Sequence, residues 1–435
     1  MKLDDGVHLT YCTNVHPGES WAEVRATLAT HVRDVRERVG VDGDFGVGLR
    51  LSARAADELA QPAALEDLRD LLRRQRMYVF TVNGFPHGSF HASAVKDAVY
   101  RPDWRDPERL RYTDRLADLL AALLPADETV EGSISTVPGA FKPALRGAAD
   151  TARIVELLLR QVACLVALRE RCGRRIALAL EPEPCCMLET ADEAVDFFGR
   201  ELHGRSAVSR LAEMTGLAPA QAEQALHDHL GVCWDLCHAA VEFEEPLASL
   251  DRLQRAGIRI VKMQLSAGLR MPAADAGARA ALARFVDPIY LHQVVQRRAD
   301  APGMLRRFAD LPEALAAARP EAAGTPPEEW RVHFHVPLYL GHADPLATTQ
   351  PFVREVLARQ RRQAVSRHLE VETYTWDVLP EPLRREPVTA AVAREIEWVL
   401  AELQAGRGER CRPGGRADGA TDRAASTDPP AARTA

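Results

Sequence analysis

Short aliphatic and β-branched runs recur along the chain, and most are followed by a stretch whose apolar residues repeat at helical spacing. The pattern predicts strands at 8–13, 45–52, 77–82, 132–136, 176–180, 230–235, 258–266, 331–336 and 369–376. Between them it predicts helices at about 20–38, 106–124, 148–171, 190–230, 246–256 and 389–403, with a further helix ending near 76. Ser20 followed by Glu23 is a capping box at the first of these. Strands alternating with helices build a parallel sheet. The fold class expected is α/β, a (β/α)8 TIM barrel. Such a barrel typically needs about 250 residues, and long loops account for the rest. A doubly wound open sheet is the alternative, but it calls for a glycine-rich phosphate turn after an early strand. Gly84 and Gly88 lack that spacing.

The alternation breaks after residue 285. Residues 290–297 and 303–308 read as a β-hairpin inserted into the barrel order, within an insertion at about 285–330. The barrel is expected to occupy 1–403. The tail at 404–435 is rich in Arg, Gly, Ala, Asp and Pro, lacks apolar periodicity, and is expected to be disordered.

Polar residues gather where the strands end. Successive strand side chains point to opposite faces. Ala177, Ala179, Glu181 and Glu183 therefore share one face, and Ile176, Leu178 and Leu180 the other. Pro182 and Pro184 stop the ladder. Taken strand by strand, the inward candidates are Asn14, Arg50, Asn83, Ser135, Glu181, Asp235, Lys262 with Gln264, His335 and Glu372. Burying so many polar groups is costly without partners or a ligand, and C-terminal strand ends carry the chemistry of parallel barrels.

A polar pocket follows. Glu181, Asp235, His335 and Glu372 form a mixed carboxylate and imidazole set suited to a divalent metal: Mn²⁺, Mg²⁺, Fe²⁺ or Zn²⁺. The other reading makes His333 and His335 core histidines and pairs the acids with arginines. His238, three residues after Asp235, supports a ligand or touches substrate. Arg50, Asn83, His87, Lys142 and Gln264 are expected to hold the substrate, with Glu183, Lys262 and His333 as further contacts. The long stretches 85–104 and 285–308 are expected to be lids or interfaces.

Composition narrows the partners. The chain of 435 residues is 46% hydrophobic and carries a net charge of −7, so nothing marks a nucleic-acid partner. The start, MKLDDGVHLTYC, lacks a signal-peptide pattern. The most apolar helical stretch, 155–168, contains Arg160 and is too short to span a bilayer. A cytoplasmic location without membrane insertion is expected. The 8 cysteines are too sparse for a disulfide scaffold. Cys185, Cys186, Cys233 and Cys237 allow a zinc site, but buried reduced thiols are the expected state. The only lysines are Lys2, Lys96, Lys142 and Lys262, and the three internal ones fall near strand ends or their loops.

The E-P ending of the fifth strand, the D-x-x-H of Asp235 to His238 and the late Glu372 resemble the xylose-isomerase-like barrel superfamily. That superfamily holds sugar isomerases, ketose epimerases, inosose dehydratases and a DNA-repair endonuclease branch. More closely, the chain resembles EboE-type metabolite traffic proteins. The resemblance lies in LTYCTNVHPGESW, TVNGFPHGSFH, VKDAVYRPDW, STVPGAFK, LALEPEPCCMLET, CWDLCHAAVEFEEP, RVHFHVPL and HLEVETYTWDVLP, spanning about 9–380. It implies a role in moving secondary-metabolite precursors and, as partners, the products of neighbouring ebo-type genes, including a UbiA-like membrane prenyltransferase.

By motif, the superfamily's two acid–base glutamates map to Glu181 and Glu372, with Asp235 as a third metal ligand. The fourth is normally a histidine ending the seventh strand. Strand counting puts Gln264 there; if the 258–266 strand is the extra one, His335 fills the place. Two functions follow. One is a metal-dependent isomerase-, epimerase- or lyase-like enzyme acting on a polar, sugar-like precursor. The other is a non-catalytic carrier that binds such a metabolite on the same scaffold.

Overall fold

Seven of the predicted strands form in chain order in the computed structural model, which describes residues 1–91, 95–127, 129–318 and 327–405. They are β1 (His8–Tyr11), β2 (Phe45–Arg50), β3 (Met77–Asn83), β4 (Gly132–Thr136), β5 (Ile176–Leu180), β6 (Leu230–Asp235) and β7 (Ile260–Leu265). At Ser266 the chain leaves this sheet. β8 (Ala267–Met271), β9 (Val294–Arg298), β10 (Ala301–Phe308), β11 (Glu328–Val336), β12 (His342–Ala343) and β13 (Leu346–Thr348) build a second, antiparallel sheet in the order β10-β9-β11-β8-β13-β12. The chain then returns as β14 (His368–Val371), which lies between β7 and β1.

The first sheet has eight parallel strands in the order β1-β14-β7-β6-β5-β4-β3-β2. Its ends meet through a single parallel bridge between Cys12 and Gly48 rather than a full ladder. The Thr10 hydroxyl completes the seam: it donates to the Gly46 carbonyl at 2.7 Å and accepts from the Gly48 amide at 3.1 Å. Position 48 admits no side chain, because a Cβ there would lie 1.8 Å from Glu370 Oε1 and 2.6 Å from the Tyr11 carbonyl oxygen. The fold is thus a β/α barrel with an insert between its last two strands.

The faces divide as the alternation requires. Ala177, Ala179, Cys233 and Val261 cluster on their own in the crowded interior. Leu178, Leu180, Ile134 and Val232 belong to the large outer core that the helices cover. The helix Ala148–Cys172 contributes Ile154, Leu158, Val162 and Leu165 to that layer. No helix among the described residues is long and apolar enough to cross a membrane.

Three expectations change. The 258–266 segment is the true seventh barrel strand, and the extra strand is β11, which carries His333 and His335. The insert is wider than 285–330, running from β8 to β13. The last barrel strand ends at Val371, and Tyr374–Val378 is a 3₁₀ turn. β8 escapes prediction because Gly268 interrupts its apolar pattern. A Cβ at 268 would lie 2.9 Å from both Cys237 Sγ and the Val332 carbonyl oxygen, so packing at the joint, not propensity, selects glycine there. The expected tail from 406 onward lies outside the described residues.

Candidate active site

Five elements converge at the C-terminal end of the barrel. Glu181 follows β5, and its amide bonds back to the Thr136 carbonyl. Asp235 ends β6 and caps the helix Leu236–Val241, accepting from the His238 amide at 3.0 Å and the Ser266 hydroxyl at 2.7 Å, both on Oδ1. Glu372 follows β14. His333 and His335 project from β11, whose antiparallel pairing with β8 and β9 carries the strand over the barrel mouth. One face of a strand holds both histidines, since they are two residues apart.

Each of the three histidines is committed at Nδ1. His238 donates to the Pro182 carbonyl at 2.9 Å, His333 to Gln293 Oε1 at 2.7 Å, and His335 to the Glu372 carbonyl at 2.7 Å. Neutral rings so tied present a lone pair at Nε2. Those lone pairs meet: His333 Nε2 lies 3.0 Å from His238 Nε2 and 3.2 Å from His335 Nε2. Burial pushes His335 down to about 4 and His333 well below the ordinary histidine value, with the neighbouring rings adding to the effect at His333.

Asp235 Oδ2 has no hydrogen-bond partner and lies 3.8 Å from His238 Nε2 and 3.9 Å from His335 Nε2. Burial pushes this carboxyl up, but His238, His335, the Ser266 hydroxyl and the His238 amide outweigh it and hold Asp235 below the usual range. Ligands of one tetrahedral zinc sit about 3.3 Å apart, and these separations bracket that spacing. His238, His333 and His335 form one potential metal-holding group, and Glu181, Asp235 and His238 form another. The donor set fits a divalent cation, and bonds at the far ring nitrogen are what orient metal-binding imidazoles.

Glu372 is held differently. Its Oε1 accepts from Asn14 Nδ2 at 2.8 Å and Asn83 Nδ2 at 3.0 Å, and among the described residues it enters no potential metal group. Glu181 Oε2 has no partner. Burial raises both carboxyls well above the ordinary value; the Glu372 charge raises Glu181 further, as the Asp235 charge does for both. Glu183 is also raised by burial, and it accepts from the Tyr100 hydroxyl at 2.6 Å. Gln293 Nε2 donates to Tyr100 Oη, the Pro184 carbonyl and Glu183, which fixes its Oε1 toward His333.

Asn83, Glu181, Glu183, His238, His333 and Glu372 line the pocket above this cluster. His335 and Asp235 lie fully buried beside it. Five expected substrate contacts, Arg50, His87, Lys142, Lys262 and Gln264, lie outside that lining. Arg50 pairs with Glu19 at 3.0 Å and donates to the carbonyls of Gly18 and Gly88, so its guanidinium is used in joining two loops. His87 sits 3.6 Å from Glu108 and edge-on to Tyr112. Lys142 is held by Glu189 at 2.5 Å and Glu193 at 2.8 Å. Lys262 is buried inside the barrel, 2.6 Å from Glu370. Burial opposes its charge, but Glu370 outweighs that and keeps the ammonium above the ordinary lysine value.

Gln264 faces Asp235 and Glu370 in the sheet register, and neither end of its buried amide has a hydrogen-bond partner. It occupies the seventh-strand position, while His335 reaches the site from outside the barrel. Both strand counts are therefore accommodated by one geometry. The cysteines among the described residues are free: Cys233 and Cys237 are buried, as is Cys186, and Cys185 is half-buried.

Sequence reasoning missed Gln293, Ser266 and Tyr374. Gln293 falls inside the presumed hairpin and Ser266 at an unforeseen joint. Tyr374, whose hydroxyl lies 3.4 Å from His333 Nε2, stands in a segment read as strand.

No family model matches the chain, and no curated protein matches it. Among solved structures it is similar to a probable 3-DHS dehydratase involved in petrobactin synthesis from Bacillus anthracis, at 12% identity and a TM-score of 0.43, covering 90% of this chain and 98% of that one. It is similar to a D-tagatose 3-epimerase-like protein at 12% identity and a TM-score of 0.45, covering 93% and 99%. It is also similar to an IolI protein with a bound zinc atom, at 10% identity and a TM-score of 0.42, covering 91% and 97%.

Proposed function

We propose that this protein is a divalent-metal-dependent enzyme of the isomerase or epimerase type, acting on a small hydroxy-carbonyl compound. The observation that carries the reading is the convergence of three Nε2 atoms beside the unpartnered Asp235 Oδ2, next to the buried carboxyls of Glu181 and Glu372. His238, His333 and His335 would hold the cation, with Asp235 beside His238 and His335, and Glu181 within reach of Asp235 and His238. A set dominated by imidazole favours Zn²⁺ or Fe²⁺ over Mg²⁺. When bound, such a cation supplies Lewis-acid polarisation of a substrate carbonyl.

The remaining work falls to the protein's own groups. Asn14 and Asn83 fix Glu372 through one oxygen, which leaves the second for a proton on the substrate carbon. Glu181, raised by burial and by the Glu372 charge, keeps a proton available. A base and an acid so placed can move a proton between adjacent carbons.

The unpartnered Gln264, standing where a histidine ligand is expected, favours a second reading, a carrier that binds the same metabolite without turnover. A cytoplasmic location is part of this proposal, and a role in metabolite traffic and a UbiA-like membrane partner join it on the strength of the motifs between residues 9 and 380.

Deuterium wash-in separates the two readings. Zinc-loaded protein incubated in D₂O with acetoin or phenylacetylcarbinol is expected to exchange the proton on the hydroxyl-bearing carbon, as seen by NMR, and Glu372→Gln is expected to abolish this while binding zinc normally. Saturable binding with no exchange by the wild type would establish the carrier.

A further inference from the structure

The pocket has two unlike halves. Its floor is the carboxylate and imidazole cluster. Its wall is built by two segments that meet over the barrel mouth, one after β3 and one in the insert before β9. Phe90, Tyr290 and Tyr374 form a three-ring cluster there, with centroids 5.1, 5.4 and 5.2 Å apart. Phe85, Val95 and Leu291 extend the apolar surface. Main-chain bonds from the Val95 and Lys96 amides to the Ile289 carbonyl, at 2.9 and 3.0 Å, tie the two segments together.

The wall offers an incoming ligand no cation. Lys96 is the one lysine or arginine among the described residues lining the pocket. Its ammonium is already spent on the carbonyls of Asp287 and Tyr290, at 3.1 and 2.7 Å, and on Asp310 at 2.7 Å. A phosphate group carried on the substrate's body would face the rings of the wall and find no free cation there. A bare polyol would leave its hydroxyls against the rings without partners, which costs affinity. Phe90 and Tyr290 are buried against one another, so a flat apolar body gains by lying along the edge of this cluster that the pocket exposes.

We propose that the substrate is an uncharged hydroxy-carbonyl compound bearing an aromatic or comparably flat apolar substituent, rather than a free or phosphorylated sugar. The proposal rests on the metal reading for the polar head only; the wall recognises the body with or without metal.

Calorimetric titration of the zinc-loaded protein with matched probes tests it. Phenylacetylcarbinol and acetoin are both α-hydroxyketones, differing by phenyl in place of methyl. The phenyl compound is expected to bind at least about tenfold more tightly, in line with the value of aromatic contacts. Dihydroxyacetone phosphate is expected to bind no more tightly than dihydroxyacetone. Phe90→Ala and, separately, Tyr290→Ala are expected to erase the phenyl preference while zinc content is unchanged.

Equal affinity for the two ketones, including absence of binding by both, overturns the proposal, as does a gain from phosphate. Repeating the titrations on chelator-treated protein separates the two claims. A phenyl preference that survives while chelation changes neither affinity refutes the metal reading and leaves the apolar substituent standing.

Discussion

His335 donates its Nδ1–H to the main-chain carbonyl of Glu372 at 2.7 Å, from the inserted sheet to the end of the last barrel strand. One bond thus orients an inward-facing imidazole and anchors the backbone of the proposed base. Metal content should reveal which strand supplies the ligands. His335→Ala and His333→Ala are each expected to lose most of the zinc that the wild type retains after dialysis, while Gln264→Ala keeps it. Elemental analysis of the purified proteins reads this directly; loss of zinc in Gln264→Ala alone would return the site to the barrel.

Gln293 fixes His333 through its Oε1 and is itself fixed by Tyr100, Pro184 and Glu183. Removing a group that orients a metal ligand typically costs about 10- to 100-fold in affinity. Gln293→Leu should weaken zinc binding by that factor in a competition with a chromophoric chelator, with the far-UV spectrum unchanged.

Glu395 predicts a pH dependence of stability. It is buried, accepts from the Leu338 amide at 3.0 Å and the Thr373 hydroxyl at 2.7 Å, and burial pushes it up to about 7. A carboxyl raised in the folded state keeps its proton while the unfolded chain loses one. Its effect is absent below about pH 4, grows as pH rises toward 7, and is constant above that. The loss at pH 8 amounts to about 3 kcal/mol. Glu395→Gln keeps an oxygen acceptor and cannot ionise. Urea unfolding should find it more stable than the wild type at pH 8 and equal at pH 4; equality at both would refute the assignment.

Lys262 and Glu370 form an ion pair with both side chains fully buried, 2.6 Å apart. Removing one partner strands the other charge, a cost of about 3–5 kcal/mol. Lys262→Met should lower stability by that much. The double substitution Lys262→Met with Glu370→Leu should recover most of it, because apolar replacements of a buried pair are often neutral. A double-mutant cycle by urea unfolding measures the recovery.

The barrel was legible in the sequence because its strands are short aliphatic runs separated by strongly periodic helices. The ends of β5 and β6 were equally legible: Glu181 and Asp235 follow alternating runs, so their faces could be assigned. Arg50 and Lys142 misled for a shared reason. Strand position gives the direction of Cβ, but long cationic side chains end wherever acceptors lie, here Glu19 for one and Glu189 with Glu193 for the other. His333 and His335 were visible as a pair on one face. Which sheet held them was not, because β11 pairs with β8 and β9, non-local contacts that leave no mark on local periodicity.

Ser266 alone separates the seventh barrel strand from the first strand of the insert, and its hydroxyl donates to Asp235 while accepting from the Cys237 amide. The splice point is therefore wired into the chemistry. An added or deleted residue there would rotate β8 by one face and pull the hydroxyl from Asp235 in the same stroke. The exposed turn joining β9 to β10 carries no such link. Natural length variants of this protein should thus accumulate at that turn and be purged at residue 266, making the joint a frozen seam between two otherwise separately evolving parts.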